Sequence, residues 1–137
     1  MSDHTATFPR EVAALAEVFD LVHAFVGEQG LDEKTRFGLD FVVEELFTNF
    51  VKYNTGSCSP IRVSLRREGS ELVLELIDED VDPFDPSELA AVDTTLPAQA
   101  RRPGGLGIHL VRSIVDEISY SYRDRRMTVR ARKRLET

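Results

Sequence analysis

Apolar residues recur at helical spacing near the start of the chain. Val12, Leu15, Ala16, Phe19, Val22, Phe25 and Val26 fall on one face of a 3.6-residue turn. Pro9 suits the first position of that helix, where its missing N–H would have no partner anyway, and Gly30 ends the run. Asp32 then stands where a cap belongs, and a second helix is predicted through about Tyr53. Its stripe is Leu39, Val43, Leu46, Phe47 and Phe50. Much of the remainder is apolar too, so burial on more than one side is expected. In such a helix the polar members stand out, here Glu45, Asn49 and Asp40.

The period changes after residue 53. Residues 54–60, Asn-Thr-Gly-Ser-Cys-Ser-Pro, are turn chemistry, and Ile61, Val63 and Leu65 then alternate with polar residues as in a half-buried strand. Glu68-Gly69-Ser70 reverses the chain, and residues 72–77 form an antiparallel partner. Residues 78–86, Asp-Glu-Asp-Val-Asp-Pro-Phe-Asp-Pro, end the ladder because proline donates no hydrogen bond. From about 87 to 103 no strong period remains. A helix opened by glycines runs over about 106–116, and residues 118–122 and 127–133 make a closing hairpin. The order helix, helix, hairpin, loop, helix, hairpin predicts an α+β fold. The expected architecture is a two-layer sandwich, a mixed and mostly antiparallel sheet with helices on one face.

Composition narrows the picture. A chain of 137 residues without internal repeats suits one domain, with an ordered core expected over about 10–134. The net charge of −7 argues against a duplex nucleic-acid binder, which needs a basic face for the phosphates. No apolar run approaches the roughly 20 residues of a membrane span. The start, Met-Ser-Asp-His, has neither the basic nor the apolar region of a secretory signal, and one cysteine, Cys58, allows no internal disulfide. A cytoplasmic protein is expected, with no nucleic-acid or membrane partner.

Two segments carry candidate chemistry. Arg102-Pro-Gly-Gly-Leu-Gly-Ile-His-Leu-Val111 places Gly104, Gly105 and Gly107 at a helix opening. Missing Cβ atoms and unpaired N–H groups together make an anion cradle there. Upstream, Glu45 and Asn49 lie four apart and share a helix face, where a carboxylate and an amide could hold a cation and a water. Taken alone, such a pair is more often two polar residues on the rim of a helix, and a glycine run is often only a tight turn. The acidic residues from Asp78 to Asp85 are either a solvated loop or hard-cation ligands, without the spacing of an EF-hand. His4, His23 and His109 are too scattered for a zinc site, and Ser57 and Ser113 lack partners for a nucleophile–base pair.

Order and spacing together go further. The helix with Glu45-Leu-Phe-Thr-Asn49, the strand ending at Asp78, the Pro83-Phe-Asp-Pro86 corner, the Gly104-Gly-Leu-Gly107 opening and the Asp116-Glu-Ile-Ser-Tyr120 that follows it resemble the GHKL (Bergerat) ATP-binding fold. Within that fold the chain is similar to the anti-sigma-factor serine/threonine kinases of bacterial partner-switching systems, over nearly its whole length. The resemblance implies ATP and Mg²⁺ as cofactors, with Asn49 on the metal and Glu45 as general base toward a serine or threonine hydroxyl. It implies Asp78, or Asp80 if the register is shifted, as acceptor for the adenine amino group. Gly104, Gly105, Leu106, Gly107 and Ile108 would form the phosphate-facing opening, residues 93–103 the ATP lid, and Arg102 a γ-phosphate partner. The implied partners are a STAS-domain anti-sigma-factor antagonist as phosphorylation substrate, a sigma factor as alternative ligand, and a second copy in a homodimer. Two departures bear on the site. Asp80 stands where the family carries a glycine, which implies an altered backbone path beside adenine, and Tyr53 replaces a common histidine. These departures keep a second reading open, a partner-binding module of the same fold with weak or no kinase activity.

Overall fold

The structure, a computed structural model, describes residues 4–53, 58–81 and 105–135. Its elements are β1 (His4–Phe8), a 3₁₀ turn (Val12–Ala14), α1 (Leu15–Gln29), α2 (Glu33–Tyr53), β2 (Ile61–Glu68), β3 (Glu71–Glu79), α3 (Gly105–Ile114), β4 (Glu117–Arg123) and β5 (Arg126–Arg134). The expected α+β class holds. The strands form one sheet in the order β1-β2-β3-β5-β4, and every pairing among the described residues is antiparallel, so no mixed pairing is seen.

Local chemistry explains the element ends. Gly30 adopts φ 65, and the Leu31 N–H bonds back to the Val26 carbonyl at 3.0 Å, closing α1 with a left-handed cap. Asp32 Oδ1 accepts the Thr35 N–H at 2.8 Å, the expected start of α2. Asp124 and Arg125 both take positive φ, 53 and 63, in the tight turn between β4 and β5.

Two expectations at the N-terminus are corrected. Residues 4–8 lie before the expected core yet form an edge strand, with Phe8 opposite Ile61 and His4 opposite Leu65. Five residues carrying one fully buried side chain give too short an alternation to read. Pro9 does not begin α1 either. A 3₁₀ turn intervenes, Val12 is 52% exposed, and the α-helix starts at Leu15.

Alternation along the strands sorts the sheet into two faces. Ile61, Val63, Leu65, Leu72, Leu74, Leu76, Met127, Val129 and Ala131 point to one side and are buried. They form one core with Val18, Val22 and Phe25 of α1, with Leu39, Val42, Val43, Leu46, Phe47 and Phe50 of α2, and with Val111 of α3. Fully burying a side chain such as Phe25, Phe47 or Phe50 contributes about 1.5–3 kcal/mol. α2 is the central helix, touching α1, α3 and the sheet, which is why its apolar stripe is broad. Gly38 lets α3 come close, since a Cβ there would lie 3.3 Å from Ile114 Cγ2. No helix among the described residues is long and apolar enough to cross a membrane.

Candidate functional site

Among the described residues, two polar side chains interrupt the buried face of the helix–sheet sandwich, Asn49 on α2 and Asp78 near the end of β3. Asn49 is only 4% exposed, and its Nδ2 is buried with no hydrogen-bond partner among the described residues. Buried polar groups are otherwise satisfied almost without exception, so this N–H calls for an acceptor beyond the described residues. Glu45 lies one turn earlier on the same helix and is half-buried. Burial, reinforced by the neighbouring Glu44 and opposed by Lys52, raises its carboxyl above the ordinary glutamate range. A half-buried carboxylate with a raised pKa suits a proton acceptor working near neutral pH.

Asp78 is wholly buried, in the cross-strand row that also holds Phe8, Ile61 and Met127. Its charge is met by Arg10, a residue the sequence reading passed over. Arg10 Nη1 donates to Asp78 Oδ2 at 2.9 Å and Nη2 donates to Oδ1, a bidentate pair. The same guanidinium donates to the Phe50 carbonyl at 3.3 Å and the Ser59 carbonyl at 3.0 Å. Arg10 therefore joins β3, the end of α2 and the approach to β2, and sets Asp78 beside the turn of α2 that carries Asn49. One signal could have found it: an aspartate on the buried face of a strand demands a nearby cation.

Asp80 lies apart from this cluster. Its side chain is 67% exposed and accepts from Arg125 Nε at 3.0 Å. Its φ is 57, the left-handed region that glycine favours and aspartate tolerates. Asp80 thus takes a glycine-like φ at the position where the resemblance expects a glycine. The Arg125 carbonyl accepts the Val81 N–H at 3.1 Å and Tyr122 Oη donates to the Val81 carbonyl at 2.7 Å, so the end of β3 is fastened to the β4–β5 hairpin.

Gly105 and Gly107 open α3 as expected, and the first N–H groups of a helix have no intrahelical acceptor. Arg102, Gly104 and the 93–103 lid lie outside the described residues. No group of three or more His, Cys, Asp or Glu gathers among the described residues. A cation here would therefore draw on Asn49 and on oxygens of its own ligand, a common arrangement for Mg²⁺ with phosphates. A surface cavity of about 560 Å³, lined by Ser59, Asp80, Ser121, Arg125 and Thr128 among others, does not include Glu45 or Asn49.

The model of the histidine kinase-like ATPase domain family matches residues 8–133. The chain belongs to that family. The match spans the sheet from Phe8 onward, the three described helices and the Glu45/Asn49 segment, and it bears out the GHKL resemblance. No curated protein matches the domain. Among solved structures, it is similar to the RsbU and RsbW domains of Rv1364c from Mycobacterium tuberculosis, with TM-score 0.72, 14% identity and coverage of 98% of this chain and 33% of that one. A chain of the SiaB–SiaC complex from Pseudomonas aeruginosa gives TM-score 0.64 at 15% identity, covering 93% and 87%. The Acinetobacter baumannii histidine kinase AdeS gives 0.59 at 15%, covering 97% and 68%. The domain thus spans a third of the first of these and most of the other two.

Proposed function

We propose that this ATPase domain is an anti-sigma regulatory factor with serine/threonine protein kinase activity. In this reading it uses ATP with Mg²⁺ to phosphorylate a STAS-type antagonist and alternatively binds a sigma factor. The observation that carries the reading is the buried Asn49, one turn from a carboxyl whose pKa burial raises, on the central helix of a histidine kinase-like ATPase domain. Similarity to an RsbW-containing structure and to a chain from a two-protein SiaB–SiaC complex supports a protein partner.

Asn49 would hold the cation through its amide oxygen, and the N–H groups at the Gly105–Gly107 opening of α3 would face the phosphates. When bound, ATP·Mg would supply the phosphoryl group, the metal neutralising its charge. Glu45 would take the proton from the substrate hydroxyl as that oxygen bonds to the γ-phosphorus and the bond to the ADP oxygen breaks. Positioning and charge neutralisation carry most of such a reaction, which fits a site with few ionisable groups. Single-turnover transfer from labelled ATP to a STAS-domain antagonist tests the proposal, and binding of the partner without transfer would refute the kinase.

One feature favours the second reading, a partner-binding module with weak or no ATP use. Asp78 gives both oxygens to Arg10, and Asp80 pairs with Arg125, so each adenine-side carboxylate already has a protein donor.

A further inference from the structure

Arg10 belongs to none of the motifs that the sequence brings forward, yet its guanidinium decides what Asp78 is free to do. Its two terminal nitrogens carry four hydrogens. Among the described residues they donate to both oxygens of Asp78 and to the carbonyls of Phe50 and Ser59. The guanidinium side chain is 10% exposed and the carboxylate 0%. A carboxylate selects an exocyclic amine by presenting it an open oxygen, and Asp78 presents none at the surface. Opening the pair would leave a buried charge on each side, so the pair resists displacement.

Resting on the nucleotide-site reading above, we propose that Arg10 is the specificity-determining residue of this site, acting through Asp78. By holding both oxygens of Asp78 it withdraws the acceptor that would select adenine. The site then takes Mg²⁺-nucleoside triphosphates by their phosphates, with little discrimination of the base.

The test is calorimetry on the full chain with the Mg²⁺ complexes of ATP and of purine riboside triphosphate, which is ATP without the 6-amino group. The wild type should bind the two within about threefold of one another, less than one hydrogen bond's worth of selectivity. Asp78→Asn should leave that ratio unchanged. Arg10→Gln releases the carboxylate from the guanidinium and should turn the ratio toward ATP by about tenfold to a hundredfold, the range for a hydrogen bond to a charged group. The ratio is blind to a general loss of stability, which weakens both complexes alike. If Arg10→Gln does not fold, the wild type and Asp78→Asn decide between them.

A wild-type preference for ATP beyond about tenfold that vanishes in Asp78→Asn overturns the proposal and leaves the nucleotide site standing. A preference that survives in Asp78→Asn overturns it too, by placing base selection on another group. So does an unchanged ratio in folded Arg10→Gln. Absence of binding by either nucleotide overturns the nucleotide-site reading, and this proposal with it.

Discussion

The two halves of α2 treat their polar residues in opposite ways. In the first half, Asp32 caps the helix, Arg36 bonds Glu33 at 2.5 Å and Asp40 at 3.2 Å, and His23 of α1 reaches Asp40 at 2.9 Å. The carboxyl of Glu33 is held below the ordinary range, first by its hydrogen bond with Arg36. In the second half, burial raises the Glu45 carboxyl, and the Asn49 Nδ2 is enclosed without a partner among the described residues. Exposed polar residues that satisfy one another contribute little beyond solubility and a few tenths of a kcal/mol each. Enclosed polar groups without a partner cost stability, and perturbed groups of this kind cluster at functional sites. The contrast separates the structural half of the helix from its candidate working half.

Breaking the working half should give the larger effects. Glu45→Ala should slow phosphoryl transfer by about 10²–10⁴, the usual share of a general base, with near-normal ATP·Mg affinity. Single-turnover transfer to a STAS partner measures the rate, and a full rate in the variant would move the base elsewhere. Asn49→Ala should weaken Mg²⁺-dependent ATP binding by about a hundredfold, while the urea midpoint stays near that of the wild type. Titration calorimetry and urea melts together check this, since unchanged affinity would remove Asn49 from the site.

The raised Glu45 pKa also sharpens the comparison through pH. The carboxyl acts as a base only when deprotonated, so transfer should fall as pH drops through a value above the ordinary ~4.3 of glutamate. The sign for stability is opposite: with its folded pKa raised, Glu45 favours the native state less as pH rises through that pKa. Glu45→Gln should remove the acidic limb of the rate profile and stabilise the protein at neutral pH. A limb that persists in Glu45→Gln would belong to another group. In the structural half, Asp32→Ala should cost only about 1 kcal/mol, the worth of one helix cap, and leave nucleotide affinity unchanged. A chemical melt beside calorimetry separates the two, and any loss of affinity would blur the division of α2.

Glu75 and Asp78 lie on one strand and show how far local sequence reaches. Glu75, on the helix-free face, is pressed upward by burial, but hydrogen bonds from Arg66 and Arg130 outweigh that and hold its carboxyl below the ordinary range. Both arginines alternate on strands beside it, so that pairing follows from strand period once the register is known. The partner of Asp78 follows from no period. Arg10 stands 68 residues away, in irregular chain between an edge strand and a 3₁₀ turn.

Helices α1 and α2, the two hairpins, the caps at Gly30 and Asp32 and the shared face of Glu45 and Asn49 were all legible in the chain. Each depends on residues within a turn or two, where the 3.6- and 2-residue periods and the turn chemistry act. Other features waited for tertiary structure: β1, the insertion of β5 between β3 and β4, the approach of α3 to Gly38, the left-handed Asp80 and the grip of Arg10 on Asp78. These are contacts between distant segments. Their energy comes from burial and charge pairing that no stretch of sequence contains until the layers close on one another.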